Sequence, residues 1–270
     1  MSDLNYPESH PNLKSSLVRE MLKVDTIGII GGMGPGATNR LCDLITSLTP
    51  ATSDQTHIPV ITFNNSAIPS RVDAIFNGGV SPLPELVRTA RILQTAGADF
   101  LLMPCNTAHY YFDEIQASVD IPLFDMIAET VRHIVSEFSD LETIGILGSS
   151  PTLDCGLFHK HLTTQGKKVI VPDPGVQIDL VMTSIFGARG IKAGHRDEPR
   201  AHLLEAGCHL AEKGANVIIA GCTEVSLVIK DGDLAVPLLD PLKIIAQLAV
   251  KRSMIGKLRT AQEQMYVVTA

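Results

Sequence analysis

What these 270 residues lack already closes several classes. No apolar run approaches the roughly 20 residues that a membrane-spanning helix needs, which excludes a transmembrane chain. The five cysteines are odd in number and contain no C-x-x-C pair, and residues 1–23 have no apolar core of the kind that marks a secretory leader. A disulfide framework is therefore not expected, and free thiols in a cytoplasmic protein are. Basic residues are also short, 22 against 29 acidic, for a net charge of −7. That balance argues against nucleic acid or an anionic membrane as partner, so a phosphate or carboxylate would have to be met by a local cation. Tryptophan is absent, yet 45% of the residues are apolar and only 19% charged, which excludes a disordered or collagen-like chain.

From Thr26 onward, short β-branched runs alternate with amphipathic stretches: TIGIIG, then 36–48, HIPVITF, PELVRTARILQTAG, DFLLMP and 107–117. Apolar runs without polar alternation belong to strands covered on both faces, which points to parallel α/β architecture. The series occurs twice. TIGIIGGMGP at 26–35 returns as TIGILGSSPT at 143–152, and LQTAGADFLLMPCNTAH at 93–109 returns as LAEKGANVIIAGCTEVS at 210–226, both 117 residues later. IPLFDMI at 121–127 and VPLLDPL at 236–242 form a third pair at an offset of 115.

The expected fold is two pseudosymmetric α/β lobes, each a mostly parallel four-stranded sheet flanked by helices, with the site in the cleft between them. Residues 1–23 read as a tail, 24–124 as lobe 1 completed by about 238–255, 125–237 as lobe 2, and 256–270 as a second tail.

The repeat carries one cysteine in each half, Cys105 after DFLLMP and Cys222 after NVIIAG. Both fall at the carboxyl edge of a strand, where ligands of open α/β sheets bind. Each precedes a helix-start sequence, Asn106-Thr107 or Thr223-Glu224, where free N–H groups favour a thiolate. Cys42, Cys155 and Cys208 have no such repeated setting and are expected to be packing residues. GMGPGA after the first strand loosely matches a dinucleotide fingerprint, but the next strand run ends in Asn64 and Asn65 and offers no acidic partner.

The set GGMGPGAT (31–38), FNN-x-x-IPSR (63–71), MPCNTAH (103–109), GIKAG (190–194), AGCTEVS (220–226) and VPLLDP (236–241) resembles the cofactor-independent aspartate/glutamate racemases, closest to the aspartate racemase branch. It covers about residues 25–252. Glutamate racemases carry His after the second Cys-Thr and open with Asp-Ser-Gly, whereas this chain has Glu224 and GGMGP. The resemblance implies an isomerase that interconverts L- and D-aspartate without cofactor or metal, with glutamate as a further substrate, in a cytoplasmic homodimer.

Cys105 and Cys222 would be the acid/base pair. Racemisation removes the α-proton from one face and supplies one to the other, so a thiolate and a thiol that exchange roles serve both directions. Asn106, Thr107 and Thr223 would surround the α-carboxylate and amino group, the Gly-rich turn 31–36 with Met33 would form the floor of the cleft, and Arg71 and Lys192, one from each half, would clamp the side-chain carboxylate. Asn64, His109 and Glu224 would support them, Glu224 by hydrogen bonding around the second thiol. The alternatives are a glutamate or hydantoin racemase, a maleate isomerase, or a non-catalytic amino-acid binding protein.

Overall fold

The computed structural model describes the backbone of residues 24–268 and the side chains of 24–254, so the expected tail at 1–23 lies outside the described residues. The chain alternates strand and helix from its first element. It runs β1 (Ile27–Gly31), α1 (Pro35–Leu48), β2 (Val60–Asn64), α2 (Leu83–Thr95) and β3 (Phe100–Leu102). After α3 (Met126–Glu137) the pattern returns as β4 (Thr143–Leu147), α4 (Leu157–Thr164), β5 (Lys168–Ile170), α5 (Asp197–Glu212), β6 (Val217–Ala220) and β7 (Leu238–Leu239). The long α6 (Pro241–Val268) follows.

All named strand pairs are parallel, in the orders β2-β1-β3 and β5-β4-β6-β7. The fourth position of the first sheet is held by one parallel bridge, Leu101 to Leu123, where the second sheet has β7.

Successive strand residues point to opposite faces, and here both faces are buried. Ile27 and Ile29 pack with Leu41 and Ile45 of α1 and with Leu242, Ile245 and Ala249 of α6. Ile30 joins Leu101, Met103 and the α2 residues Leu86, Ala90 and Leu93 on the other side. The second sheet repeats this, with Ile144, Ile146 and Val217 against α3 and α4, and Leu147 and Ile218 against α5. Each fully buried Ile or Leu contributes about 1.5–3 kcal/mol relative to an exposed one, so the two sheets have separate and substantial cores.

Local chemistry sets the helix starts. Pro35 occupies the first turn of α1, where its missing N–H costs nothing, and Asp125 caps α3 by accepting from Ile127 N at 2.9 Å and Ala128 N at 3.1 Å.

The last segment differs from the expected division. β7 pairs with β6 in the second sheet, and only the helix after it crosses over to pack on α1. That helix runs on through residues expected as a tail, to Val268. Among the described residues no helix is long and apolar enough to cross a membrane.

Candidate active site

The carboxyl ends of both sheets open into one cavity of about 650 Å3, within the roughly 300–1,000 Å3 usual for small-molecule sites. Lobe 1 contributes the 32–36 turn, Ile68, Arg71, Val72 and 105–107; lobe 2 contributes Ser149, Phe186, Lys192, Arg196 and 222–224. Cys105 and Cys222 are both free, 6% and 8% exposed, and both line it.

Each thiol sits on a turn tied to the next strand–helix junction. Met126 N–H can only donate, and it does so to His109 Nε2 at 3.1 Å, so Nδ1 carries the ring proton and donates to the Cys105 carbonyl at 2.9 Å. Burial pulls the His109 pKa down, in keeping with a neutral ring that braces the turn. In the second lobe Ser226 occupies the corresponding place and donates to Asp240 Oδ1 at 2.7 Å, an oxygen that also accepts from Leu242 N at the start of α6.

The stretches after the two thiols differ. Thr107–Tyr111 is 3-10 and passes directly into the short α-helix Phe112–Gln116, so the helical stretch expected over 107–117 is present, whereas Val225–Leu227 is a single 3-10 turn. Burial pushes the Cys222 thiol well up, and the carboxylate of Glu224 adds to the effect.

Glu224 is the most connected group in the cavity. It is 4% exposed, accepts from Cys222 Sγ at 3.0 Å and from Thr223 Oγ1 at 3.3 Å through Oε2, and forms an ion pair with Lys192 through Oε1. Burial opposes its charge, but the Lys192 ammonium and the Cys222 hydrogen bond hold its carboxyl below the ordinary value. Burial likewise opposes the charge of Lys192, and the field of Glu224, with those of both thiols, holds it above the usual lysine range. Lys192, 29% exposed and near the ring of Phe186, therefore meets the cavity already partnered.

Arg71 begins the short helix Arg71–Phe76, capped by Ser70 Oγ accepting from Asp73 N at 3.2 Å. Its Nη1 donates to the Pro69 carbonyl at 2.9 Å and its Nη2 to that of Met33 at 3.3 Å, which aims the guanidinium along the cavity wall and leaves Nε without a partner. Asn106 is 2% exposed, and among the described residues neither its Oδ1 nor its Nδ2 has a partner. A buried amide left this way costs on the order of 1–3 kcal/mol, which a zwitterion could relieve by accepting from one end and donating to the other.

Of the remaining expected residues, Met33, Thr107 and Thr223 line the cavity, and Thr107 Oγ1 reaches across to Thr152 Oγ1 of lobe 2 at 3.1 Å. Asn106 makes no side-chain capping bond. Asn64 lies exposed at the end of β2 and does not line the cavity; the buried neighbour Asn65 holds that loop by donating to Glu85 and Thr89. Cys42 and Cys155 are half-buried, but Cys208 is exposed on α5, since it falls on the solvent side of an amphipathic helix.

Ser149 was not among the residues expected from the motifs, although it stands 117 residues after Gly32 and lines the same cavity. Arg196 and Phe186 carried no signal in the sequence. Among the described residues, no three His, Cys, Asp or Glu side chains gather as a metal site would require.

The family model for Asp/Glu/Hydantoin racemase matches residues 30–249. The broad specificity amino-acid racemase RacX of Bacillus subtilis (strain 168) is 26% identical over 238 residues, covering 83% of this chain and 96% of its own. The Picrophilus torridus aspartate racemase structure aligns with a TM-score of 0.72 and 25% identity, over 85% of this chain and 94% of that one. Glutamate racemase from Francisella tularensis subsp. tularensis SCHU S4, solved with D-glutamate, shares the fold at 17% identity and a TM-score of 0.60, over 88% of this chain and 84% of that one. With a match that runs through both lobes and includes both cavity thiols, the chain belongs to the Asp/Glu/hydantoin racemase family.

Proposed function

We propose that the protein racemises acidic amino acids, aspartate first, by proton exchange between Cys105 and Cys222. One observation carries this reading: two free, buried cysteines at repeat-related strand ends, one from each lobe, line a single cavity. One sulfur, as thiolate, takes the α-proton from one face, and the other, as thiol, delivers its proton to the opposite face. Turnover leaves the pair with thiol and thiolate exchanged, ready for the reverse direction.

The α-carbanion needs fixed donors around its carboxylate, and the unpartnered amide of Asn106 supplies one, joined by the hydroxyls of Thr107 and Thr223 once they turn from Thr152 and Glu224. Arg71 provides the fork for a second carboxylate, and Lys192 provides a point charge beside it. In this reading pyridoxal phosphate is dispensable, and the enzyme works as a cytoplasmic homodimer, as the motif resemblance implies.

The test is chiral separation of aspartate after incubation with wild type, Cys105→Ala and Cys222→Ala. Each variant is expected to lose racemisation by about 10²-fold or more while unfolding at the wild-type midpoint. Substantial turnover by either variant would defeat the two-thiol scheme.

One observation favours a wider substrate range. Lys192 is neutralised by Glu224, and Ile68, Val72, Phe186 and Leu227 bring apolar surface to the cavity, which suits side chains without a carboxylate. RacX, whose name states broad specificity, is a relative in this respect. Rates across a panel of acidic, polar and aliphatic amino acids separate the two readings.

A further inference from the structure

The two thiols stand in different company. Cys222 Sγ donates a 3.0 Å hydrogen bond to the buried carboxylate of Glu224. The position of Glu224 in the repeat is occupied in lobe 1 by Thr107, whose hydroxyl is engaged by Thr152 at 3.1 Å. Among the described residues no hydrogen bond reaches Cys105 Sγ. The duplication has kept the sulfurs and made their acceptors unequal.

We infer that Glu224 fixes which sulfur holds the proton: in the empty site Cys222 stands as the thiol, and Cys105 begins turnover as the base. The inference rests on the two-thiol reading above and makes Glu224 a positioning residue acting through Cys222.

The groups that bear on the pair line the cavity or stand directly behind it. Arg71, Lys192, Arg196 and Glu224 are the ionisable side chains lining it besides the two cysteines, and His109 behind Cys105 is neutral. A thiolate at Cys222 would place a second negative charge against the Glu224 carboxylate at hydrogen-bond distance. Lys192 would favour that thiolate, but its ammonium is held on the other oxygen of the same carboxylate. The ion pair also keeps Glu224 charged, and so keeps it an acceptor for the S–H proton. Burial and the Glu224 charge raise the Cys222 thiol, with Lys192 acting in the opposite direction.

Per-residue alkylation tests the inference. The two cysteine residues are 6% and 8% exposed and line one cavity, so a small reagent reaches both from the same space and the rates report ionisation. Purified wild type is treated with iodoacetamide from pH 6 to 10, and modification at each cysteine is followed by peptide mass spectrometry. Cys105 is expected to react first near neutrality, with the Cys222 profile displaced to higher pH. Glu224→Gln keeps an oxygen that can accept the S–H but removes the charge and frees Lys192, and it should bring the Cys222 profile down by about one pH unit or more.

Coincident profiles in wild type, or a Cys222 profile unmoved in Glu224→Gln, would overturn the assignment. The wild-type comparison decides on its own if the variant does not fold. Racemisation is measured separately: its absence alongside separated profiles would remove the two-thiol reading, whereas coincident profiles in an active racemase would remove the role of Glu224.

Discussion

Arg71 and Lys192 reach the same cavity with unequal freedom, and their substitutions should differ accordingly. The Arg71 guanidinium is braced on two backbone carbonyls and, among the described residues, is opposed by no carboxylate, whereas Lys192 already has Glu224. Arg71→Lys keeps the charge but loses the fork, and a charge-assisted hydrogen bond is worth about 1.5–3 kcal/mol. Its KM for aspartate should rise by about 10–100-fold with a smaller change in kcat, measured from initial rates. An unchanged KM would remove Arg71 from carboxylate binding. Arg71 and Lys192 were legible in the sequence because each lies in a short motif. The Lys192–Glu224 link was not, because residues 32 apart in the chain meet only once the GIKAG turn folds over the second thiol. The same holds for Asn65, whose part is to hold the loop after β2 through two side chains of α2.

At the scale of elements, the close approach of two strand ends sets the position of Cys222. A Cβ on Gly148, just beyond β4, would lie 2.9 Å from the carbonyl carbon and oxygen of Gly221, just beyond β6, and backbone cannot swing aside. Gly148→Ala should therefore cost about 1–3 kcal/mol, seen as a lower denaturant midpoint at unchanged slope. Gly175→Ala, with nothing within 4 Å of the added carbon, should leave the midpoint almost where it is. Equal midpoints for the two variants would mean that the strand ends are not held as described.

The strands and the paired order of the elements could be read from the sequence because uninterrupted β-branched runs recur at a constant spacing. Even fine contacts follow the repeat: Thr26 N donates to Asp99 Oδ2 at 2.7 Å, and Thr143 N to Asn216 Oδ1 at 3.0 Å. The helical stretch after Cys105 was legible, but the single 3-10 turn after Cys222 was not, since Thr-Glu opens a helix and a single turn equally well.

In the whole molecule, neither lobe holds the site by itself. Each supplies one sulfur and one glycine- or serine-bearing turn after its first strand, lobe 1 adds the cation Arg71 and lobe 2 adds Lys192 and Arg196, and the cavity exists only where the two sheet edges meet. α6 links them: Leu242, Ile245 and Ala249 lie in the first lobe's core, while Leu239 just before the helix and Ile244 within it pack in the second. The repeat made two lobes legible, but strand 238–239 could not be assigned to its sheet from sequence, because VPLLDP answers IPLFDM equally well on either side of the cleft.

The central claim is that two opposed thiols, one from each lobe, exchange the α-proton, and its most direct test follows the fate of that proton. L-Aspartate is incubated with the enzyme in D2O without added pyridoxal phosphate, and both enantiomers are separated and weighed from the first turnovers. Two acid/base groups on opposite faces predict that D-aspartate forms already carrying deuterium at Cα while unreacted L-aspartate keeps its protium. Protium carried over into the D-aspartate, or exchange that needs added pyridoxal phosphate, would contradict it.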